Sequence, residues 1–264
     1  MDKKILNYEE KYVAFLDILG FREMVNKNDT ELINTYLNTV QEGIKSAKDT
    51  YFNEKKLKIE SIIISDSILL AVDKNNDIKE SLDNLLYLCI SVGMIQSLLS
   101  PNGIWLRGGI SFGKTYFSQT DNQIIGPAYI SAYDIENKIA KYPRVVLDSR
   151  IINELGFDNA EELIKKINNR SNQDILYPWN NQHIIKKDIP LFIDYIGFML
   201  DHNDLGLDNK KFFLKTLITK IKEKIYKENI SVYVKSKWTV DYLISVLKRR
   251  GHEGLVKEFG LEKL

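Results

Sequence analysis

Apolar positions recur along this chain in two rhythms, one of strands and one of helices. The unbroken run Tyr12 to Leu16 ends at Asp17 and predicts a buried strand. Asn28 and Asp29 can cap a following helix, whose apolar residues Leu32, Ile33, Tyr36, Leu37, Val40 and Ile44 fall at helical spacing. Two further apolar runs, Leu57 to Ser65 and Ser67 to Val72, meet around Ser65-Asp66-Ser67 and predict a β-hairpin with Asp66 at its tip. A second helix is expected from about Lys79 to Ser100, stopped by Pro101-Asn102-Gly103, with a fourth strand starting at Ile104. Gly126-Pro127 leads into a third helix, Ala128 to about Tyr142, and Pro143 to Asp148 reads as another strand. The order β-α-β-β-α-β followed by α-β predicts an α+β fold with a ferredoxin-like, split βαβ sheet. Beyond Ile151 the pattern is mostly helical, with a strand-like stretch at Ile230 to Val234 and a closing helix from Thr239 to Arg250. We therefore expect a main domain over residues 1–150 and a mostly helical C-terminal extension over 151–264.

The 264 residues suffice for one substantial core plus an appended region. A formal net charge of +1 gives no electrostatic signature of a nucleic-acid binder, so no nucleic-acid partner is expected. Lysines crowd the tail between Lys210 and Lys237, and such runs are usually solvated faces. The single cysteine, Cys89, excludes a disulfide framework and a multi-cysteine zinc site, which fits a reducing cytoplasm. No stretch reads as the roughly 20 apolar residues of a membrane helix, so a soluble, unprocessed protein is expected. His183, His202 and His252 are scattered without ligand spacing and read as structural.

The chemistry concentrates at the strand ends. Asp17 and Asp66 each terminate or interrupt an apolar run, where a carboxylate is costly unless something positive pairs with it. Two such carboxylates invite a divalent cation, although Asp17 alone reads more readily as a turn or helix-capping residue and Asp66 alone as a hairpin-tip residue. Arg107, inside Trp105-Leu106-Arg107-Gly108-Gly109, can pair with a surface carboxylate or project onto a phosphate.

Through Phe15-Leu16-Asp17-Ile18-Leu19-Gly20-Phe21, Ser65-Asp66-Ser67, Leu106-Arg107-Gly108-Gly109-Ile110-Ser111-Phe112-Gly113, and Gly126 followed by an alanine-bearing helix ending in Ile135-Glu136, the chain resembles the class III nucleotidyl cyclases over roughly residues 10 to 150. The resemblance implies that Asp17 and Asp66, with the backbone carbonyl of Ile18, hold two divalent cations, Mn²⁺ or Mg²⁺. It implies that Leu19, Gly20 and Phe21 cradle the substrate's phosphates and that Arg107 contacts the nucleotide. It also implies a homodimer, because sites of this family form between two subunits. The reaction is attack of a ribose 3′-hydroxyl on the α-phosphorus with loss of pyrophosphate, which two metals about 3.5–4 Å apart suit.

The base half of the family pattern departs. The purine-reading lysine falls on Ile62, its partner near Gln123, and the asparagine and arginine of the third helix on about Ile130 and Asp134. An isoleucine cannot hydrogen-bond a purine. The chain is similar in Ala132-Tyr133-Asp134-Ile135-Glu136 and Ala140-Lys141-Tyr142-Pro143-Arg144 to the bacterial pyrimidine cyclases of the Pycsar antiphage defence system. This implies UTP or CTP as substrate, 3′,5′-cyclic UMP or CMP as product, and a separate effector that responds to it. Apolar or aromatic residues around Ile62, with Tyr116, Tyr129 or Tyr133, would then fill space that a purine occupies, and the extension, including Tyr233 to Trp238, is either an ordinary packing extension or an element that packs on the cyclase domain or its dimer partner and passes on a phage-derived cue. The competing readings are an adenylate or guanylate cyclase with atypical base contacts, a catalytically silent nucleotide-binding dimerisation module, and a polymerase or nuclease on the same fold.

Overall fold

The computed structural model describes residues 6–51, 58–178, 191–202, 206–226 and 229–264. Strand β1 (Glu9–Leu19) leads through a short helix α1 (Phe21–Asn26) into α2 (Thr30–Tyr51). The hairpin β2 (Glu60–Ile64) and β3 (Ser67–Asp73) is followed by α3 (Ile78–Leu99), one 3-10 turn, and the long β4 (Trp105–Ser118). Then come β5 (Gln123–Ile125), α4 (Pro127–Lys138) and β6 (Val145–Leu147). The helices α5 (Arg150–Glu154), α6 (Ala160–Ser171), α7 (Tyr195–Asp201), α8 (Leu207–Ile225), α9 (Ile230–Arg249) and α10 (Glu253–Glu258) complete the chain.

The result is a mixed helix and sheet architecture. The sheet order is β2-β3-β1-β4-β5, these pairs are antiparallel, and β6 runs parallel to β4. β1 is thus central, and its alternation divides the core. Tyr12, Ala14, Leu16 and Ile18 belong to the main cluster that includes α2 and α3, whereas Val13 and Phe15 pack with Ala128 and Ala132 of α4. Helix α4 lies very close to β4: a Cβ at Gly109 would clash with the Ala132 carbonyl oxygen and fall 2.7 Å from Ile135 Cβ.

Several sequence expectations need correction. Ile230 to Val234 form the first turns of α9, not a strand, because the Asn229 side chain accepts from the amides of Ser231 and Val232 and starts the helix there. Helix α3, with its 3-10 continuation to Asn102, is long and apolar enough to cross a membrane by length and composition. In the fold, 89% of that apolar window is buried, so it serves as the central core helix. Asp77 caps this helix by accepting from the amide of Glu80 at 2.8 Å. Helix α4 ends at Lys138, short of Tyr142, and α1 and β5 were not foreseen.

The core runs unbroken past position 150. Trp238 of α9 stacks on Tyr142 at 5.4 Å and nearly parallel, and Phe192, Tyr177 and Tyr242 extend the same aromatic group. The guanidinium of Arg144 lies over the rings of Tyr142, Phe192 and Trp238. Asp194, fully buried, accepts from the Tyr242 hydroxyl at 2.5 Å and pairs with Arg249 at 2.5 Å. His202 is half-buried at the end of α7, His252 is exposed before α10, and His183 lies outside the described residues.

Candidate active site

Sheet pairing brings Asp17 and Asp66 to one end of the sheet. Asp17 stands opposite Ser67 on β3 and opposite Arg107 on β4. Asp66 occupies the two-residue turn before Ser67, reached through Ser65 in the left-handed region at φ 58°. The Ile18 amide donates to the Asp66 carbonyl at 3.2 Å, and the Tyr36 hydroxyl donates to the Ser65 carbonyl at 3.2 Å, which pins the hairpin tip against the end of β1.

Arg107 is held between two carboxylates. Its Nε donates to Asp17 Oδ2 at 3.0 Å, and its Nη2 lies 2.6 Å from Glu136 Oε1 on α4. The second contact is close but too bent for a hydrogen bond, so the buried Glu136 Oε1 lacks an aligned donor. Burial pushes the Asp17 carboxyl above the ordinary carboxylate range; Arg107 opposes this and the charge of Asp66 adds to it. Burial likewise raises Glu136, again against Arg107 and reinforced by Asp17. Asp17 and Glu136 therefore share one guanidinium, with Lys235 farther from Asp17 and Lys141 farther from Glu136, and Asp66 adds a third carboxylate whose hard oxygens suit a divalent cation.

Asp17, Asp66 and the Ile18 carbonyl are the oxygen donors that fit such an ion. Among the described residues no group of three or more His, Cys, Asp or Glu has metal-binding geometry, so these two carboxylates would need further oxygens from substrate or water. After β1 the chain turns at Gly20, whose φ of 84° requires glycine, and Phe21 enters α1 with its ring 6.2 Å from Tyr36. Leu19 and Gly20 border a cavity of about 270 Å³ lying between this turn and helices α8 and α9.

The residues assigned to base contact are placed elsewhere. Ile62 is 2% exposed and enclosed by Phe15, Leu69 and Ala132. Gln123 is exposed at the start of β5, paired with Ser118. Tyr129 and Tyr133 pack against Phe15 at 6.0 and 5.3 Å, and Tyr116 pairs with Ile125. Ile130 is exposed, and Asp134 pairs with Lys138 at 3.0 Å.

Sequence reasoning missed Glu136 and Lys235. Glu136 stood in the quoted Ile135-Glu136 pair without a role of its own, and Lys235 was submerged in the lysine-rich tail. Lys235 lies close enough to Asp17 and Arg107 to feel both charges, and its ammonium is pushed below the usual lysine range by burial first and Arg107 second.

No family model matches the chain, and no curated protein matches it. Two solved structures of a bacterial light-regulated adenylyl cyclase are similar to it, each at 14% identity, with TM-scores of 0.44 and 0.41. Each alignment covers 81% of this chain and 59% of the other, so the chain spans well under two thirds of those proteins. The reading of the site rests on the chain's own residues.

Proposed function

We propose that the chain is a nucleotidyl cyclase that converts UTP or CTP to 3′,5′-cyclic UMP or CMP and pyrophosphate. The observation that carries this is the convergence of Asp17 and Asp66 at adjacent strand ends, locked by the Ile18 to Asp66 backbone bond. The sheet order β2-β3-β1-β4 with its crossover helices supports a ferredoxin-like, split βαβ arrangement, the one this chemistry uses in the family the sequence resembles.

In this reading Asp17, Asp66 and the Ile18 carbonyl hold two Mn²⁺ or Mg²⁺ ions. Bound there, such ions would lower the pKa of the attacking hydroxyl and neutralise the leaving phosphates. Leu19, Gly20 and Phe21 border the phosphate side of the site. Arg107 balances Asp17 and Glu136 and sets how strongly a cation must compete for Asp17. Ile62 is packed among Phe15, Leu69 and Ala132, so the choice of a pyrimidine rests on the resemblance of the sequence and on the absence of a lysine at that position.

A homodimer fits the exposed apolar residues Ile130 and Tyr133, 59% and 43% exposed on α4. The product would serve as a cytoplasmic signal in antiphage defence, acting on a separate cyclic-nucleotide-responsive effector, with no nucleic acid and no membrane insertion involved. One observation favours a second reading, a catalytically silent nucleotide-binding module: Arg107 already occupies one oxygen of Asp17.

Incubating the protein separately with ATP, GTP, CTP and UTP plus Mn²⁺, with Asp66→Ala as control, separates these readings. Mass spectrometry should find a cyclic pyrimidine monophosphate with wild type and none with the variant. Cyclic AMP or GMP would refute the base assignment, and absence of any product would favour the silent module.

A further inference from the structure

The cavity beside Leu19 and Gly20 has a wall that neither strand end supplies. Lys220 and Lys224 reach it from α8 and Lys235 from α9, so the lysine-rich tail is not wholly a solvated face. Lys220 pairs with Glu223 at 3.0 Å. Among the described residues Lys224 and Lys235 make no ion pair or hydrogen bond, and both are partly buried. Ser236 and Thr239 add hydroxyls, while Trp105, Ile221 and Val232 make the remaining wall apolar. An apolar wall lowers the local dielectric and strengthens the pull of each ammonium on an anion. The acidic residue on the lining, Glu23, pairs with Lys27 at 2.5 Å and also feels the more distant charge of Lys224.

Position tells what kind of anion fits. Trp105 pairs with Leu19 in the β1–β4 register, two residues along from the Arg107 and Asp17 pair, and alternation puts all four on the same face of the sheet. The cavity therefore continues the face that carries Asp17. At about 270 Å³ it falls below the roughly 300–1,000 Å³ of pockets that enclose a whole drug-sized ligand, so a nucleotide would place only part of itself inside.

We propose that this cavity is a polyphosphate subsite in which Lys224 and Lys235 of the C-terminal helices bind the terminal phosphates of the nucleoside triphosphate that reacts at Asp17 and Asp66. The assignment of the phosphates to substrate rests on the cyclase reading; the anion site itself does not. The extension is then a binding element of the active site.

The test uses the full chain and inorganic tripolyphosphate in EDTA, followed by calorimetry. Wild type should bind about one tripolyphosphate per chain, and Lys224→Ala with Lys235→Ala together should weaken binding about tenfold or more, since each charged hydrogen bond is worth on the order of a tenfold change. Lys211→Ala with Lys215→Ala, on exposed lysines outside the cavity, should leave it unchanged. Lys235→Arg should restore much of the binding to a Lys235→Ala chain, with circular dichroism confirming the same fold throughout. No binding by wild type, or equal weakening by both double variants, overturns the site.

Kinetics then separate the two readings. Competitive inhibition of pyrimidine turnover by tripolyphosphate, with a raised KM in Lys224→Ala/Lys235→Ala, supports the substrate subsite. Noncompetitive inhibition overturns the substrate assignment and leaves a separate phosphorylated ligand. Unchanged KM in the double variant overturns the subsite while the cyclase reading stands. Lysine-dependent tripolyphosphate binding without turnover of any nucleotide overturns the cyclase reading while the anion site stands.

Discussion

Replacing Arg107 with methionine removes the one guanidinium shared by Asp17 and Glu136 and leaves both carboxylates facing each other. Stripping one partner from a fully buried ion pair costs about 3–5 kcal/mol. Here Arg107 and Asp17 keep 24% and 19% of their side-chain exposure and Glu136 keeps 5%, so solvent relieves part of the penalty. We expect Arg107→Met to lose roughly 2 kcal/mol of unfolding free energy at pH 8. The loss should depend on pH. Both carboxyls already lie above their ordinary values because of burial, and without the guanidinium both rise further. An acid whose pKa is raised in the folded state contributes stability that is complete below its unfolded pKa and is lost as pH rises through the folded value. The variant should therefore approach wild type as pH falls from 8 toward 5. Urea unfolding of both proteins across that range measures the difference directly. A difference that stays constant with pH, or lies under about 0.5 kcal/mol throughout, would refute the shared-guanidinium account. The same variant should bind Mn²⁺ more tightly in an electron paramagnetic resonance titration, because no side-chain cation then competes for Asp17; weaker binding would mean that Arg107 helps to build the metal site.

Two other outcomes follow from packing and burial. Gly109→Ala should push α4 away from β4 and carry Glu136 with it, costing about 1–3 kcal/mol in thermal unfolding and reducing Mn²⁺ affinity; an unchanged midpoint would show that α4 yields without strain. Cys89 is fully buried and its thiol is pushed far above the usual range by burial alone, so a thiol reagent should label it only at the rate of unfolding, and rapid labelling of the folded protein would contradict its place in the core.

The first half of the chain was readable because its signals were local and mutually consistent. The run ending at Asp17, the hairpin tip at Ser65-Asp66 and the helical spacing of Leu32 to Ile44 each fix one element without help from distant residues. Ile230 to Val234 misled because its β-branched alternation outweighed a single capping residue, whereas in the fold Trp238 and Tyr242 anchor the whole segment as helix. Arg107 could be located on β4 but not oriented, since its second partner, Glu136, comes from a helix on the other side of a crossover. The same limit hid Lys224 and Lys235: charge runs look alike in sequence whether they face solvent or the end of β1. Burial of Ile62 under Phe15 was also invisible, because it depends on how α4 settles over the sheet.

The central position of β1 also governs the order of assembly. The β2–β3 hairpin closes over a two-residue turn, an event of microseconds, but β1 must wait for β4, and its Asp17 finds Arg107 only across 90 positions of chain. During synthesis at about 5–20 residues per second, that interval leaves one edge of an apolar strand open for several seconds. An open edge of that composition templates pairing with another chain. Slowing elongation between β3 and β4 should therefore lower the soluble yield, whereas a pause after β4 should not, which makes the timing of translation a control on how much of this protein reaches its native state.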